Sequence, residues 1–145
     1  MVWRRREGGL EVLLVHPGGP FWKKRDDGAW SIPKGEIEPG ETAIDVARRE
    51  FKEELGQDPP ASELRPLGSV RQAGGKVVHA WAAPGDYEVG ALNGMTFEVE
   101  WPPRSGKKAT FPEVDRAAWY ELQTARRKIL DAQRVFIDRL EAALG

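Results

Sequence analysis

Hydrophobic residues along the chain fall into short runs whose spacing predicts strands. The stretch "GLEVLLVHP", residues 9–17, holds an unbroken apolar run between glycines and a proline, which is typical of a buried strand. Residues 64–83, "LRPLGSVRQAGGKVVHAWAA", predict two strands that meet at Gly74–Gly75. "MTFEVEWPP", residues 95–103, alternates apolar and acidic positions, which predicts a half-exposed strand. "AAWYEL", residues 117–122, predicts a last short strand.

A helix is predicted between the first strand and this group. Apolar residues recur at helical spacing from Ala43 to Phe51. Thr42 and Asp45 fit an N-terminal capping pair, and Gly56 supplies the stop. The spacing therefore predicts a helix that ends on a cluster of acids.

The order of elements predicts the fold class. From Asp131 onward the chain has the pattern of an amphipathic helix, and residues 103–116 are expected to form a basic loop. A strand, a helix, several strands and a final helix indicate an α/β fold in which helices cover a mixed sheet. A length of 145 residues suits a single domain over residues 1–145.

Composition and charge narrow the classes of function. The net charge is −1 and there are no cysteines, so the chain has no overall attraction to polyanions and no thiol chemistry. We expect no stable nucleic-acid complex and no membrane association. The apolar runs are too short for a signal sequence or a membrane span, which favours a cytoplasmic protein.

The acidic end of the predicted helix is the feature that local stability does not explain. Glu50, Glu53 and Glu54 fall within an arc of roughly 100° on a helix. Acids are disfavoured in the last turn of a helix, and like charges one turn apart repel. Either these side chains form a solvated acidic face, or a divalent cation such as Mg²⁺ neutralises them.

The residues around these acids resemble the signature of the Nudix hydrolases. Gly35 is followed after five residues by Glu41, and after seven more by Arg49-Glu50-Phe51, then Glu53-Glu54 and Gly56. One position departs from the signature, because Gln57 stands where the family prefers an aliphatic residue. The resemblance implies an α/β/α sandwich with a central mixed β-sheet, in agreement with the predicted order of elements.

The resemblance also implies roles for the residues of the signature. It implies that the glutamates bind Mg²⁺ or Mn²⁺, that Arg49 holds them by ion pairing, and that Glu41 is structural. The implied metal ligands are Glu50, Glu53, Glu54 and the backbone carbonyl of Gly35.

A further acid is often supplied in this family just before the last strand. Glu113 occupies that place, and we expect it to act as a metal ligand or as a base. Glu98 and Glu100 are rivals, each more typical of a solvent-facing strand position. Glu53 is the first choice for the general base and Glu113 the second.

Several residues are candidates for contacts with the substrate, although each also has an ordinary surface or core interpretation. Lys34 precedes the implied metal ligand Gly35, so we expect it to contact phosphate. Trp30 is the chosen platform for a nucleobase, with Trp22 and Trp81 as alternatives. The other candidate cations are Arg71 and Lys76 near the hairpin, Arg104 and Lys107 in the basic loop, and the run Lys23-Lys24-Arg25.

The resemblance implies a small-molecule nucleotide substrate and hydrolysis of a pyrophosphate bond in a nucleoside diphosphate-linked compound. "PKGEIEPGE" is similar to a stretch of the diadenosine polyphosphate hydrolases, although the tyrosine that often follows in those enzymes is missing. The chain also resembles a bacterial branch of predicted nucleoside triphosphate pyrophosphohydrolases. The alternatives are a non-catalytic nucleotide sensor and a structural domain with an acidic patch. Many family members are dimers, so a homodimer is also considered.

Overall fold

The computed structural model describes residues 1–32, 42–56, 64–72, 74–89 and 96–145. For Ala43, Glu54 and Leu55 the description is limited to the backbone. The strands are β1 Val2–Arg6, β2 Gly9–Pro17, β3 Arg65–Arg71, β4 Val77–Pro84, β5 Thr96–Glu100, β6 Lys108–Pro112 and β7 Val114–Glu121. The helices are α1 Ala43–Leu55, α2 Leu122–Lys128 and α3 Arg134–Leu144, with a 3-10 turn at Asp131–Gln133.

Five of the strands form one mixed sheet. Their order is β3-β4-β1-β2-β7, in which β1 and β4 are parallel and the other neighbours are antiparallel. The predicted hairpin around Gly74–Gly75 joins β3 and β4. A separate two-stranded sheet is formed by β5 and β6.

The alternation of side chains along β2 places apolar residues on both faces of the sheet. Val12 and Leu14 pack on one face with Phe136 of α3, while Leu13 and Val15 pack on the other with Phe51 of α1. Successive side chains of a strand point to opposite faces, so an unbroken apolar run needs cover on both sides. The helices supply that cover, which confirms the predicted α/β/α arrangement.

The prediction of a basic loop over residues 103–116 is partly wrong. Its second half contains β6, which pairs along its full length with β5. In "KATFP" the exposed Lys108 and Thr110 alternate with the half-buried Ala109 and Phe111. This alternation is the pattern of a half-exposed strand, but a neighbouring glycine and lysines obscure it in the sequence.

Helix α2 was also missed, and the last strand is longer than predicted. β7 begins at Val114 rather than near Ala117, and α2 follows it directly. Within α2, the buried residues are Leu122 and Ala125. A helix of 7 residues with two buried positions has too weak a periodic pattern to be recognised. None of the helices within the described ranges has the length and apolar character needed to span a membrane.

Candidate active site

Helix α1 begins and ends where the sequence predicts. The Asp45 N–H donates to Thr42 Oγ1 at 3.3 Å, and the Gly56 N–H donates to the Lys52 carbonyl at 2.8 Å. Gly56 has φ 75° and ψ 8°, a left-handed conformation that glycine adopts without a steric penalty. These caps fix the end of the helix that carries the acids.

Packing beneath α1 brings an acid from a distant part of the sequence to this helix. Phe51 is 6% exposed and belongs to the same apolar cluster as Val114 of β7. Glu50 and Glu113 directly precede these two residues in the sequence. The Glu113 carboxylate contributes to a raised pKa of Glu50. Glu113 thus lies directly before the last strand, close enough to influence the acidic end of α1.

Arg49 bonds to two of the glutamates. Its Nη1 donates to Glu50 Oε1 at 2.9 Å and lies 3.3 Å from Glu53 Oε2. Both acids therefore share one guanidinium nitrogen. The contacts agree with the implied role of Arg49 as the residue that orients the glutamates.

The pKa of the Glu50 carboxyl is raised. Burial raises its pKa above the ordinary value, and the neighbouring Glu53 and Glu113 carboxylates raise it further, while Arg49 opposes this rise. The Glu50 side chain is 13% exposed. Crowded, partly desolvated carboxylates favour either a proton or a cation.

The donor atoms suit a hard divalent cation. Mg²⁺ and Mn²⁺ prefer carboxylate oxygens, which Glu50, Glu53 and Glu113 supply. No group of three His, Asp or Glu side chains is arranged to hold an ion within the part of the chain that the structure describes. That part excludes the Glu54 side chain and Gly35, two of the four expected ligands from the signature. The fit therefore rests on the chemistry and crowding of the carboxylates.

A cavity of about 170 Å³ adjoins Glu113. Its lining also includes Val15, Trp22 and Ser31, and Ser31 pairs through its backbone with Val15. The cavity therefore connects the junction of β6 and β7 with the chain segment that leads into the signature.

Three expected residues, Lys34, Gly35 and Glu41, lie outside the described residues. Trp30 does not occupy the position expected of a nucleobase platform. It is 2% exposed, its indole N–H donates to Asp26 Oδ1 at 2.8 Å, and its ring meets Tyr120 edge-to-face at 5.2 Å. A ring enclosed in this way has no free face for stacking, so this expectation is corrected.

Four of the predicted cations fall in two places. Arg71 and Lys76 flank the β3–β4 turn, where Arg71 Nη1 donates to the Gly75 carbonyl at 3.2 Å. Arg104 and Lys107 are exposed in the turn between β5 and β6, on the separate two-stranded sheet. The rivals of Glu113, which are Glu98 and Glu100, are exposed on β5 as expected.

A buried glutamine, Gln133, which the sequence analysis did not identify, bonds to the chain just before the signature. Gln133 is fully buried, accepts from the Ile32 N–H at 3.1 Å and donates to Gln72 Oε1 at 2.6 Å. Gln133 therefore links Ile32, three positions before the signature residue Gly35, to Gln72, which follows β3. No sequence signal identifies this role, because its two partners are 101 and 61 residues away.

Comparison with known proteins agrees with the fold. The family model described as a NUDIX domain matches residues 1–140, and the chain belongs to this family. The fold resembles that of an Ap4A hydrolase from C. elegans, with a TM-score of 0.65 and 22% identity, over 99% of this chain and 93% of that one. The NUDIX domain of NrtR from Shewanella oneidensis, solved with ADP ribose, has a TM-score of 0.64 at 21% identity, over 99% and 84% of the two chains.

Curated relatives match over shorter segments. An RNA pyrophosphohydrolase from Legionella pneumophila is 43% identical over 63 residues, which are 42% of this chain and 35% of that protein. The human 8-oxo-dGDP phosphatase NUDT18 is 44% identical over 46 residues, which are 32% of this chain and 13% of that protein. The match thus spans about a third or less of each relative's length.

Proposed function

We propose that the chain is a divalent-metal-dependent hydrolase that cleaves a pyrophosphate bond in a nucleoside diphosphate-linked substrate. The observation that carries the proposal is that Glu50 and Glu53 share one guanidinium nitrogen of Arg49 at the end of α1, where burial raises the pKa of Glu50 and the Glu53 and Glu113 carboxylates raise it further. Membership of the NUDIX family supports the reaction class.

Glu50, Glu53 and Glu54, with the Gly35 carbonyl and Glu113, would hold Mg²⁺ or Mn²⁺. The cation would neutralise charge on the phosphates and lower the pKa of the attacking water. Glu53 would accept a proton from that water at a carboxylate oxygen, with Glu113 as the second candidate base. Arg49 would keep both Glu50 and Glu53 in place during this transfer.

The remaining contacts would position the phosphate chain. Lys34, next to Gly35 in the sequence, is the first candidate for a phosphate contact, and Arg71 and Lys76 at the β3–β4 turn are the next. Gln72 lies beside that turn and bonds to Gln133, which in turn bonds to Ile32. This chain of contacts supports a location of the turn near the start of the signature segment.

The favoured substrates are dinucleoside polyphosphates and nucleoside triphosphates. The likeness of "PKGEIEPGE" to the diadenosine polyphosphate hydrolases supports the first. The alignment with the Legionella RNA pyrophosphohydrolase supports a third candidate, the 5′-triphosphate end of an RNA. The expectation of no stable nucleic-acid complex allows such a transient substrate.

A product-resolved hydrolysis screen tests the proposal. The panel contains dinucleoside polyphosphates, ordinary and oxidised nucleoside triphosphates, 8-oxo-dGDP, ADP-ribose and 5′-triphosphorylated RNA, with Mg²⁺ and then Mn²⁺. We expect metal-dependent cleavage of one class. A nucleoside triphosphate would take up one water and yield a monophosphate plus pyrophosphate, whereas a dinucleoside polyphosphate would yield two nucleotides. Nucleotide binding without any cleavage would contradict the proposal and favour a sensor.

A further inference from the structure

A second, larger cleft lies between two segments that are far apart in the sequence. It has a volume of about 640 Å³ and separates the loop at residues 19–25 from the β5–β6 hairpin. We call it the hairpin cleft. Its volume lies within the range of about 300–1,000 Å³ that is typical of small-molecule sites.

The walls of the hairpin cleft present aromatic rings to solvent. Phe21 is 62% exposed, and the large hydrophobic side chains that are exposed among the described residues are Phe21 and Val77. Its ring meets Trp101 at 5.5 Å with an interplanar angle of 83°. Phe111 of β6 also lines the cleft. Phe21 is exposed and Trp101 is half-buried, and an edge-to-face pair at a cleft surface leaves ring faces on which a planar base can stack.

The hairpin cleft is also basic. Lys23, Lys24 and Arg25 line it, and among the described residues neither lysine has an ion-pair partner. The acid that lines the same cleft is Asp115, whose Oδ1 lies 2.8 Å from His16 Nδ1 and therefore already has a partner. Cations beside an aromatic pair are suited to a nucleoside phosphate.

Close backbone packing fixes the loop against the hairpin. A Cβ atom at Gly18 would lie 1.8 Å from the Pro112 carbonyl oxygen, and one at Gly19, where φ is +100°, would lie 2.8 Å from Phe97. Only glycine permits this approach. His16 Nε2 also donates to the Arg25 carbonyl at 2.7 Å. The two walls of the cleft are therefore held together by the fold.

The hairpin cleft adjoins the acidic site. Pro112 and Asp115 line the cleft, and Glu113, which lies between them in the sequence, lines the cavity of about 170 Å³. Neighbouring Cα atoms are about 3.8 Å apart, so the two spaces are separated by the width of one chain segment. The β6–β7 junction is therefore a wall shared by both spaces, and a polyphosphate at Glu113 would have to pass this one segment to reach the hairpin cleft.

We propose that the hairpin cleft binds the second nucleoside of a dinucleoside polyphosphate. Phe21 and Trp101 stack on its base, and Lys23 and Lys24 bind the phosphates that lead to it. Among the described residues, the edge-to-face pair of Phe21 and Trp101 is the aromatic pair with an exposed ring in this cleft, which suits a single base better than a run of RNA nucleotides. This inference rests on the proposed function, because it assigns a role to the part of the substrate distant from the cleaved bond.

The test compares two substrates in the same variants. For Trp101→Ala and Phe21→Ala, we expect the ratio of KM for a dinucleoside tetraphosphate to KM for a nucleoside triphosphate to rise at least about fivefold. Trp101→Phe should restore most of the wild-type ratio, because it keeps a ring. Lys23→Ala with Lys24→Ala should raise the same ratio and weaken its dependence on salt.

A double variant, Arg5→Ala with Arg6→Ala, is the matched control. It removes two positive charges from the opposite end of the β1–β2 pair and should leave the ratio unchanged. Unfolding temperatures of all variants identify any that fail to fold. An unchanged ratio in both aromatic variants, or an equal rise of both KM values, would overturn the proposal. A selective rise for triphosphorylated RNA would overturn it in favour of an RNA site.

Equilibrium binding separates failure of this inference from failure of the proposed function. Calorimetry with the same two nucleotides, with EDTA in place of the divalent cation, measures Kd without turnover. Suppose that nothing is hydrolysed, but Trp101→Ala selectively weakens the binding of the dinucleoside tetraphosphate. The inference then holds and the proposed function does not. If hydrolysis proceeds and the aromatic variants leave Kd for the dinucleoside tetraphosphate unchanged, the inference is wrong and the proposed function holds.

Discussion

Helices α1 and α3 cover opposite faces of one sheet, but their charged residues are arranged in different ways. On the α3 side, Arg126 Nε contacts Asp138 at 3.0 Å and Arg126 Nη2 contacts Glu141 at 3.0 Å, so each carboxylate has its own nitrogen. On the α1 side, Glu50 and Glu53 share Nη1 of Arg49. The first arrangement distributes charge evenly, whereas the second crowds it.

The carboxylates on the α3 side and on α1 also differ in their exposure to solvent. Asp138 and Glu141 are 58% and 57% exposed, so water screens them and each pair contributes little to stability. Glu50 is 13% exposed and faces two further acids, which makes its charged form costly. The α3 charges are thus explained by solubility and modest stabilisation. The charge of Glu50 on α1 is disfavoured in the folded state, so solubility and stabilisation do not explain it, and a bound cation is the proposed explanation.

The largest expected effect comes from the substitution Glu53→Gln. It keeps the shape of the side chain and removes the proposed proton acceptor, so kcat should fall by about 10²–10⁴-fold. Initial rates on the substrate identified in the screen measure this fall. Glu141→Gln makes the same chemical change on α3 and should leave kcat unchanged. Equal activity of the two variants would mean that the acids of α1 and α3 do not differ in function.

The second prediction concerns stability on the α3 side. Phe136 is fully buried against the sheet, and Phe136→Ala should lower the free energy of unfolding by about 3–5 kcal/mol. Urea denaturation measures the loss, and Phe136→Leu should lose less because it leaves a smaller cavity. A loss below about 1 kcal/mol for Phe136→Ala would show that α3 contributes little to the core.

The third and smallest effect is a gain in stability from Glu50→Gln. Because the pKa of Glu50 is raised in the folded state, its charge destabilises the fold at neutral pH, and the penalty vanishes below the ordinary carboxyl pKa. Without divalent cations, the variant should be more stable at pH 7 by a few tenths of a kcal/mol, the scale of a like-charge pair. The gain should disappear near pH 4.

Thermal unfolding of Glu50→Gln across this pH range, with EDTA present, measures the effect. Glu141→Gln is again the control, because it should show no such gain at neutral pH. A variant that is less stable than the wild type at pH 7 would mean that the ion pair with Arg49 outweighs repulsion and desolvation.

Much of the fold and the core of the candidate site could be predicted from sequence, because local patterns encode them. The bounds of α1 follow from Thr42 and Gly56, and β2 follows from an unbroken apolar run. The choice of Glu113, directly before the last strand, depends on resemblance to the Nudix family, and its role at the site stays a prediction.

The features that were missed depend on partners far away in the sequence. The strand β6 is stabilised by pairing with β5, and its short alternating pattern is too weak to be recognised alone. Trp30 is suited either to the core or to stacking, and its contacts with Asp26 and Tyr120 place it in the core. The hairpin cleft brings Phe21 and Trp101 together through tertiary packing, which local sequence patterns do not encode.

A titration with Mg²⁺, monitored by thermal unfolding, tests the central claim most directly. The wild type and Glu141→Gln should be stabilised by about 1.4 kcal/mol at a tenfold excess over Kd, which raises the unfolding temperature by about 3–6 °C. Glu53→Gln should show little or no rise over the same concentrations. An equal rise in all three proteins, or no rise in any, would contradict the assignment of the acidic end of α1 as the metal site.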